Sequence, residues 1–223
     1  MSETPLTHSS APHKERLLWL VAIGFFMQTL DATILNTALP AMSQELGESP
    51  MKMQSVIVAY ALTTAMLIPA TGWVADRFGT RRIYGLAIGL FVLGSVLCAL
   101  SPSLPFLIAA RVVQGVGGAM MLPVGRLAVL RTYPRGEFIR AMSFIAIPGQ
   151  VGPLLGPTLG GWMVEYASWH WIFWINVPVG LIGLWATWRW FPQSAPVVVH
   201  RFDIKGYSML AFGMVAISVA LDG

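Results

Sequence analysis

The sequence predicts an all-α, polytopic transmembrane helix bundle, and three observations predict it. Hydrophobic residues make up 56% of the 223 residues, charged residues only 11%, and mean hydropathy is +0.67. Such a chain has lipid as its solvent. The apolar residues also gather into runs of about twenty, the number a helix rising ~1.5 Å per residue needs to cross ~30 Å of hydrocarbon. Finally, the lysines and arginines sit in the short segments between runs and favour alternate segments, as membrane orientation requires.

Residues 1–16 form a polar tail without periodicity. Six spans follow at residues 17–39, 56–75, 83–100, 104–124, 141–164 and 171–191, with a polar loop at 41–52 and a basic loop at 126–140. Residues 192–205 are a polar connector, and a seventh apolar run occupies residues 206–223, where the chain stops at Asp222-Gly223. With the N-terminus inside, the inner segments hold twelve of the lysines and arginines and the outer loops hold only Lys52. The N-terminus is therefore expected to be cytoplasmic. Trp19, Trp73, Trp162, Trp169, Trp171 and Trp190 lie near span ends, where interfacial anchors belong. The net charge of +4 is explained by this orientation, so nucleic acid is not expected as a partner. A single cysteine, Cys98, rules out an intramolecular disulfide and any cysteine-built metal or redox site. No cleavable leader is expected, because the first apolar run is too long and lacks a small-residue cleavage site. No nucleophile–base pair, metal cluster or phosphate loop is evident, so an enzyme is not expected.

Three features stand out from the apolar background. The fifth run contains Ile147 to Trp162, with five glycines and three prolines. In water these would cost about 1 and about 3 kcal/mol each inside a helix, but hydrocarbon offers backbone groups no other partner, so the helix persists. Gly152, Gly156 and Gly160 share one face as a flat groove for another helix backbone, with Pro153 and Pro157 on the adjacent face. Next, Asp31 in the first run and Arg111 in the fourth are ionisable groups at membrane depth, which mark a functional site or a buried structural pair. Asp31 lies roughly 21 Å from the inner start of its span and Arg111 roughly 10 Å from the outer start of its own. The two depths nearly coincide in a ~30 Å core, so an ion pair or a water-bridged pair is feasible. Gln114, one turn beyond Arg111, can orient water or contact substrate. Third, Gly72-Trp73-Val74-Ala75-Asp76-Arg77-Phe78-Gly79-Thr80-Arg81-Arg82 joins the second and third spans. Gly72 permits close helix approach, Gly79 a tight turn, Asp76 can meet a helix N-terminus or a basic side chain, and Arg77, Arg81 and Arg82 hold the segment inside.

These motifs resemble those of the drug–proton antiporters with fourteen spans in the major facilitator superfamily. G-x-x-G-P-x-x-G-P-x-x-G-G, at Gly149, Gly152, Pro153, Gly156, Pro157, Gly160 and Gly161, is similar to the fifth-helix signature, which the resemblance implies shapes the antiporter hinge and limits leak. L-D-x-T-I-x-N-x-A-L-P, with Asp31 and Asn36, resembles the first-helix signature and implies proton or substrate coupling. R-x-x-Q-G at Arg111 and Gln114 resembles the fourth-helix motif, in which the arginine is implicated in proton transfer. G-x-x-A-D-R-x-G-x-R-R resembles the superfamily's conformational latch, which bears partly on a helix of the other half. Trp169-His170-Trp171-Ile172-Phe173-Trp174-Ile175-Asn176-Val177-Pro178 is similar to the opening of the sixth helix; its aromatics are interfacial anchors or a stacking surface for flat cations, and His170 is expected to be hydrated.

The resemblance implies proton-coupled efflux of amphipathic or cationic small molecules across a bacterial inner membrane, driven by the proton gradient without a cofactor. Export of a metabolite by the same mechanism, or a non-transporting regulatory membrane protein, are the alternatives. Two sets of three spans fit one half of a facilitator. The 223 residues are therefore expected to be an N-terminal fragment whose partners are the bilayer, the substrate, protons and a missing C-terminal half.

Overall fold

The structure, a computed structural model, describes residues 11–193 and 202–222. Among them the chain forms eight helices: α1 (Ala11–Leu46), α2 (Pro50–Phe78), α3 (Thr80–Ala99), α4 (Leu104–Thr132), α5 (Arg135–Tyr166), α6 (Trp171–Trp174), α7 (Asn176–Trp190) and α8 (Ile204–Asp222). No strand occurs among the described residues. Ile175, between α6 and α7, keeps helical torsion angles of −60° and −29°, so Trp171–Trp190 reads as one span. Six helical segments are long and apolar enough to cross a membrane.

The helices are longer than the apolar runs. The polar segment 41–52 is reduced to a turn between Leu46 and Pro50, and the basic segment 126–140 is helical except at Tyr133 and Pro134. The segment from Gly72 to Arg82 is likewise not a loop, since α2 runs to Phe78 and α3 starts at Thr80. Gly79 alone makes that joint, at φ +89°, a region that a residue with a Cβ rarely enters. Hydropathy measures the hydrocarbon a segment crosses, whereas a helix continues into the headgroup layer as long as its backbone hydrogen bonds hold. The described part of the 192–205 connector is Pro192–Gln193 and Phe202–Lys205, the last two of which already belong to α8; residues 194–201 lie outside the described residues.

Close helix approach organises the bundle. α1 packs along α5, α4 is flanked by α2 and α3, α7 lies against α3 and α1, and α8 rests on α2. A Cβ on Gly94 would come within 2.5 Å of Gln114 Cα and N, and one on Gly117 within 2.5 Å of the Ala87 carbonyl and Phe91 N. α3 and α4 therefore run antiparallel in backbone contact. Gly115 and Gly118 do the same work on the α2 side, against Thr63 and Tyr60.

The apolar interior falls into two clusters. One gathers Leu17, Val21, Tyr84, Phe91, Val124, Val129 and Phe191 towards one end. The other gathers Ile34, Leu35, Met42, Met53, Cys98, Leu107, Trp169 and Phe173 towards the other end. Asp31, Ser95, Arg111, Gln114 and Asn176 are buried polar residues that sit in sequence at the border of the two.

Candidate functional site

At that border a carboxylate, a guanidinium and two amides close into one network. Arg111 Nη1 donates to Asp31 Oδ2 at 2.6 Å and to Gln114 Oε1 at 2.6 Å. Gln114 Nε2 donates to Asp31 Oδ1 at 2.9 Å and to Ser95 Oγ at 2.8 Å. Asn176 Nδ2 adds a third donor to the carboxylate, reaching Oδ1 at 2.9 Å. Both members of the ion pair are 1% exposed. Two opposite charges at this depth are tolerable only because their attraction and the extra hydrogen bonds offset the desolvation of each.

Each donor comes from a place the sequence prepares. Arg111 and Gln114 are three apart on α4, hence on one face. Ser95 follows Gly94, the residue that lets α3 touch the α4 backbone at Gln114. Asn176 is the first residue of α7. The Arg111 guanidinium lies 4.3 Å from the Tyr60 ring centroid and 5.9 Å from that of Phe173, so two aromatic faces cover the cation. Among the described residues the buried Arg111 Nε has no hydrogen-bond partner, while the Tyr60 hydroxyl lies beside the Gln28 and Thr64 side chains. Chemically, the arrangement is a buried carboxylate–guanidinium pair whose carboxylate accepts from three side chains, Arg111, Gln114 and Asn176.

Of the residues the sequence singles out, Asp31, Arg111 and Gln114 are brought together. Asn36 is not: it lies exposed on α1 outside the network. Asp76, now in α2, pairs with Arg131 in the last turn of α4. Arg77 lies over Trp73 at 5.2 Å, Arg81 donates to the Trp188 carbonyl, and Arg82 is exposed. Gly72 meets no close helix, because a Cβ there would find nothing within 4 Å. On α5, a Cβ on Gly152, Gly156 or Gly160 would strike Thr29, Thr33 or Thr37 Oγ1 at 2.3, 2.3 and 2.1 Å, and one on Gly149 would strike Phe25. The groove's partner is thus α1, running parallel. The threonine hydroxyls turn back onto their own helix, Thr33 Oγ1 donating to the Thr29 carbonyl at 2.9 Å. Pro153 and Pro157 are exposed and α5 stays helical through both. Gly161 has nothing within 4 Å and stands outside the seam. Trp169 is no interfacial anchor: it is buried, donates to Glu45 Oε2 at 2.8 Å, and stacks on His170 at 3.7 Å. That stacking, with Ser168 Oγ 2.7 Å from Nδ1, leaves His170 only partly hydrated.

Sequence reasoning missed Asn176, Ser95 and Tyr60. A polar amide in an apolar run is the signal that could have found Asn176; a serine or a tyrosine in such a run is too common to stand out.

The model of the Major Facilitator Superfamily matches residues 21–219. The chain belongs to that superfamily. This facilitator chain is 59% identical, over 206 residues, to "Putative multidrug resistance protein MdtD" of Cronobacter sakazakii and to the protein of the same name from Pectobacterium carotovorum. Each match covers 92% of the chain and 44% of the relative, so the chain spans less than half the length of these curated relatives. Among solved structures, a peptide transporter POT mutant in complex with sulfate superposes with a TM-score of 0.72 at 19% identity, covering 92% of the chain and 45% of that structure. The same transporter in complex with alafosfalin gives 0.71 at 19% identity, covering 92% and 46%. At this identity the likeness concerns the facilitator fold alone.

Proposed function

We propose that this chain is the N-terminal bundle of a proton-coupled exporter that carries amphipathic or cationic small molecules across a bacterial inner membrane. The observation that carries the reading is the Asp31 carboxylate, buried between two apolar clusters with its oxygens held by Arg111, Gln114 and Asn176. While ionised, Asp31 ties α1 to α4 and α7. A proton on Asp31 cancels the charge that holds the guanidinium, so Arg111 loses its main tie to α1 and the helices can shift against each other. The proton gradient supplies the energy, without a cofactor, and the name of the relatives supports a drug-like cargo. Export of a metabolite would use the same device. The twelve-to-one distribution of basic residues supports a cytoplasmic N-terminus. Alternating access rocks one bundle against another, so the proposal requires a second bundle, on another polypeptide, a longer chain or a second copy.

The test uses inside-out vesicles carrying the chain fused to the C-terminal part of its Cronobacter sakazakii relative. The fusion should export a cationic dye when a proton gradient is imposed. Asp31→Asn should abolish that export while inserting normally, and the 223 residues alone should show none. Undiminished export by a well-inserted Asp31→Asn fusion would overturn the coupling role. A fusion that inserts but moves neither protons nor dye would favour the regulatory alternative.

A further inference from the structure

At the end of the bundle where α1 and α3 begin and α4 and α7 finish, a cavity of about 440 Å³ is lined by Lys14, Arg81, Thr132, Arg189, Trp190 and Gln193, among others. Three cations line one space, and among the described residues no carboxylate lines it. Among the described residues, none of the three forms a salt bridge, whereas Arg131 at the same end is neutralised by Asp76. Helix dipoles do not explain the imbalance. At this end α3 and α5 begin while α2, α4 and α7 finish, so the helix partial charges do not add to a positive field there.

Two of the three cations rest on aromatic or backbone groups, Lys14 lying 5.6 Å from the Tyr133 ring centroid, while Arg189 is exposed. Arg81 donates from one Nη to the Trp188 carbonyl and lies 5.4 Å from the Trp188 ring centroid, while its buried Nε has no partner among the described residues. Arg16 covers the Trp190 ring at 5.4 Å. The neighbouring cavity is balanced in charge: Glu15 and Glu137 line it with Arg140 and with Lys14, which both cavities share. Burial, then Glu137 and Glu15, push the Tyr133 phenol above its ordinary value. Glu15 and Glu137 thus line the neighbouring cavity and not this one.

We propose that the Lys14–Arg81–Arg189 cavity binds a phosphate group. Guanidinium forks match the oxygens of a phosphate, and basic pockets between helices at the membrane surface accept anionic head groups. The helix ends and the exposed tryptophans Trp185 and Trp188 place the cavity at headgroup depth. An anionic phospholipid and a soluble phosphate share this chemistry. The inference rests on the membrane-spanning fold and not on the transport reading.

The experiment titrates the purified chain, in uncharged micelles, with short-chain phosphatidylglycerol, short-chain phosphatidylcholine and inorganic phosphate, counting adducts by native mass spectrometry. One saturable phosphatidylglycerol adduct is expected, at much higher affinity than phosphatidylcholine. Arg189→Gln and Lys14→Gln should each weaken it about fivefold, since one basic residue near an anionic surface contributes about that factor. Arg135→Gln, which removes an exposed charge outside the cavity, should leave it unchanged. Competition by inorganic phosphate with the same mutational pattern would support the site and identify a soluble ligand. An equal loss in Arg135→Gln, or no saturable binding of either anion, would overturn the proposal.

Discussion

α1 contributes to two regions of opposite character within one helical turn. Thr29 and Thr33 lie in a dry seam against the α5 glycines, while Asp31 between them points into the polar network with α4 and α7. Two residues along a helix is about 200° around it, so successive odd positions between 29 and 33 alternate between packing and charge. The seam is held by shape, because lipid gives apolar helices no reason to prefer each other over acyl chains and only close backbone approach does. The network is held by mutual satisfaction, because each member left alone would be a bare polar group in hydrocarbon. The two should therefore fail differently.

The largest effect is expected in the network. Arg111→Leu leaves a buried, unpaired Asp31 and should cost about 3–5 kcal/mol in unfolding of the purified chain in mixed micelles. Adding Asp31→Leu should recover most of that loss, since replacing both charges removes the unpaired one. No recovery in the double variant would break the claim that mutual satisfaction holds this region. The seam should respond less and only to volume. Gly156→Leu puts a side chain where even a Cβ would lie 3.1 Å from the Ile34 backbone nitrogen, and overpacking costs about 1–3 kcal/mol. Leu154→Ile, on an exposed face of the same helix, should be near neutral in the same measurement; equal losses would refute backbone contact at Gly156. The smallest effect is expected where neither principle operates. The Asp76–Arg131 pair is about a third exposed on each side, so Arg131→Gln should cost under about 1 kcal/mol. That cost should shrink further in high salt, as screening requires.

Much of this architecture is legible in the sequence because lipid imposes few solutions. Asp31 and Arg111 are conspicuous against apolar neighbours, and rise per residue alone puts them at one depth. The identity of the groove's partner was less accessible. A face of glycines says that a helix approaches, not which one, although Thr29, Thr33 and Thr37 repeat with the same spacing of four. Asn176 escaped notice because its role depends on where α7 begins relative to Asp31, a distance that no local pattern encodes. Asn36 and Gly72 stood out for the converse reason: motif membership marked them, while the fold leaves both facing open space.

The four-residue spacing of the seam also makes its alignment discrete. Sliding α5 by one period, ~6 Å, would seat Gly152 on Thr33 and Gly156 on Thr37, or in the other direction Gly156 on Thr29 and Gly160 on Thr33. Two of three matings survive either way, so the glycines and threonines alone define several detents and not one position. The neighbours in sequence decide among them. One slip brings Pro148 onto Thr29 and the other brings Val164 onto Thr37, each a side chain where only a hydrogen fits. α5 is thus indexed against α1 like a rack with a stop at each end.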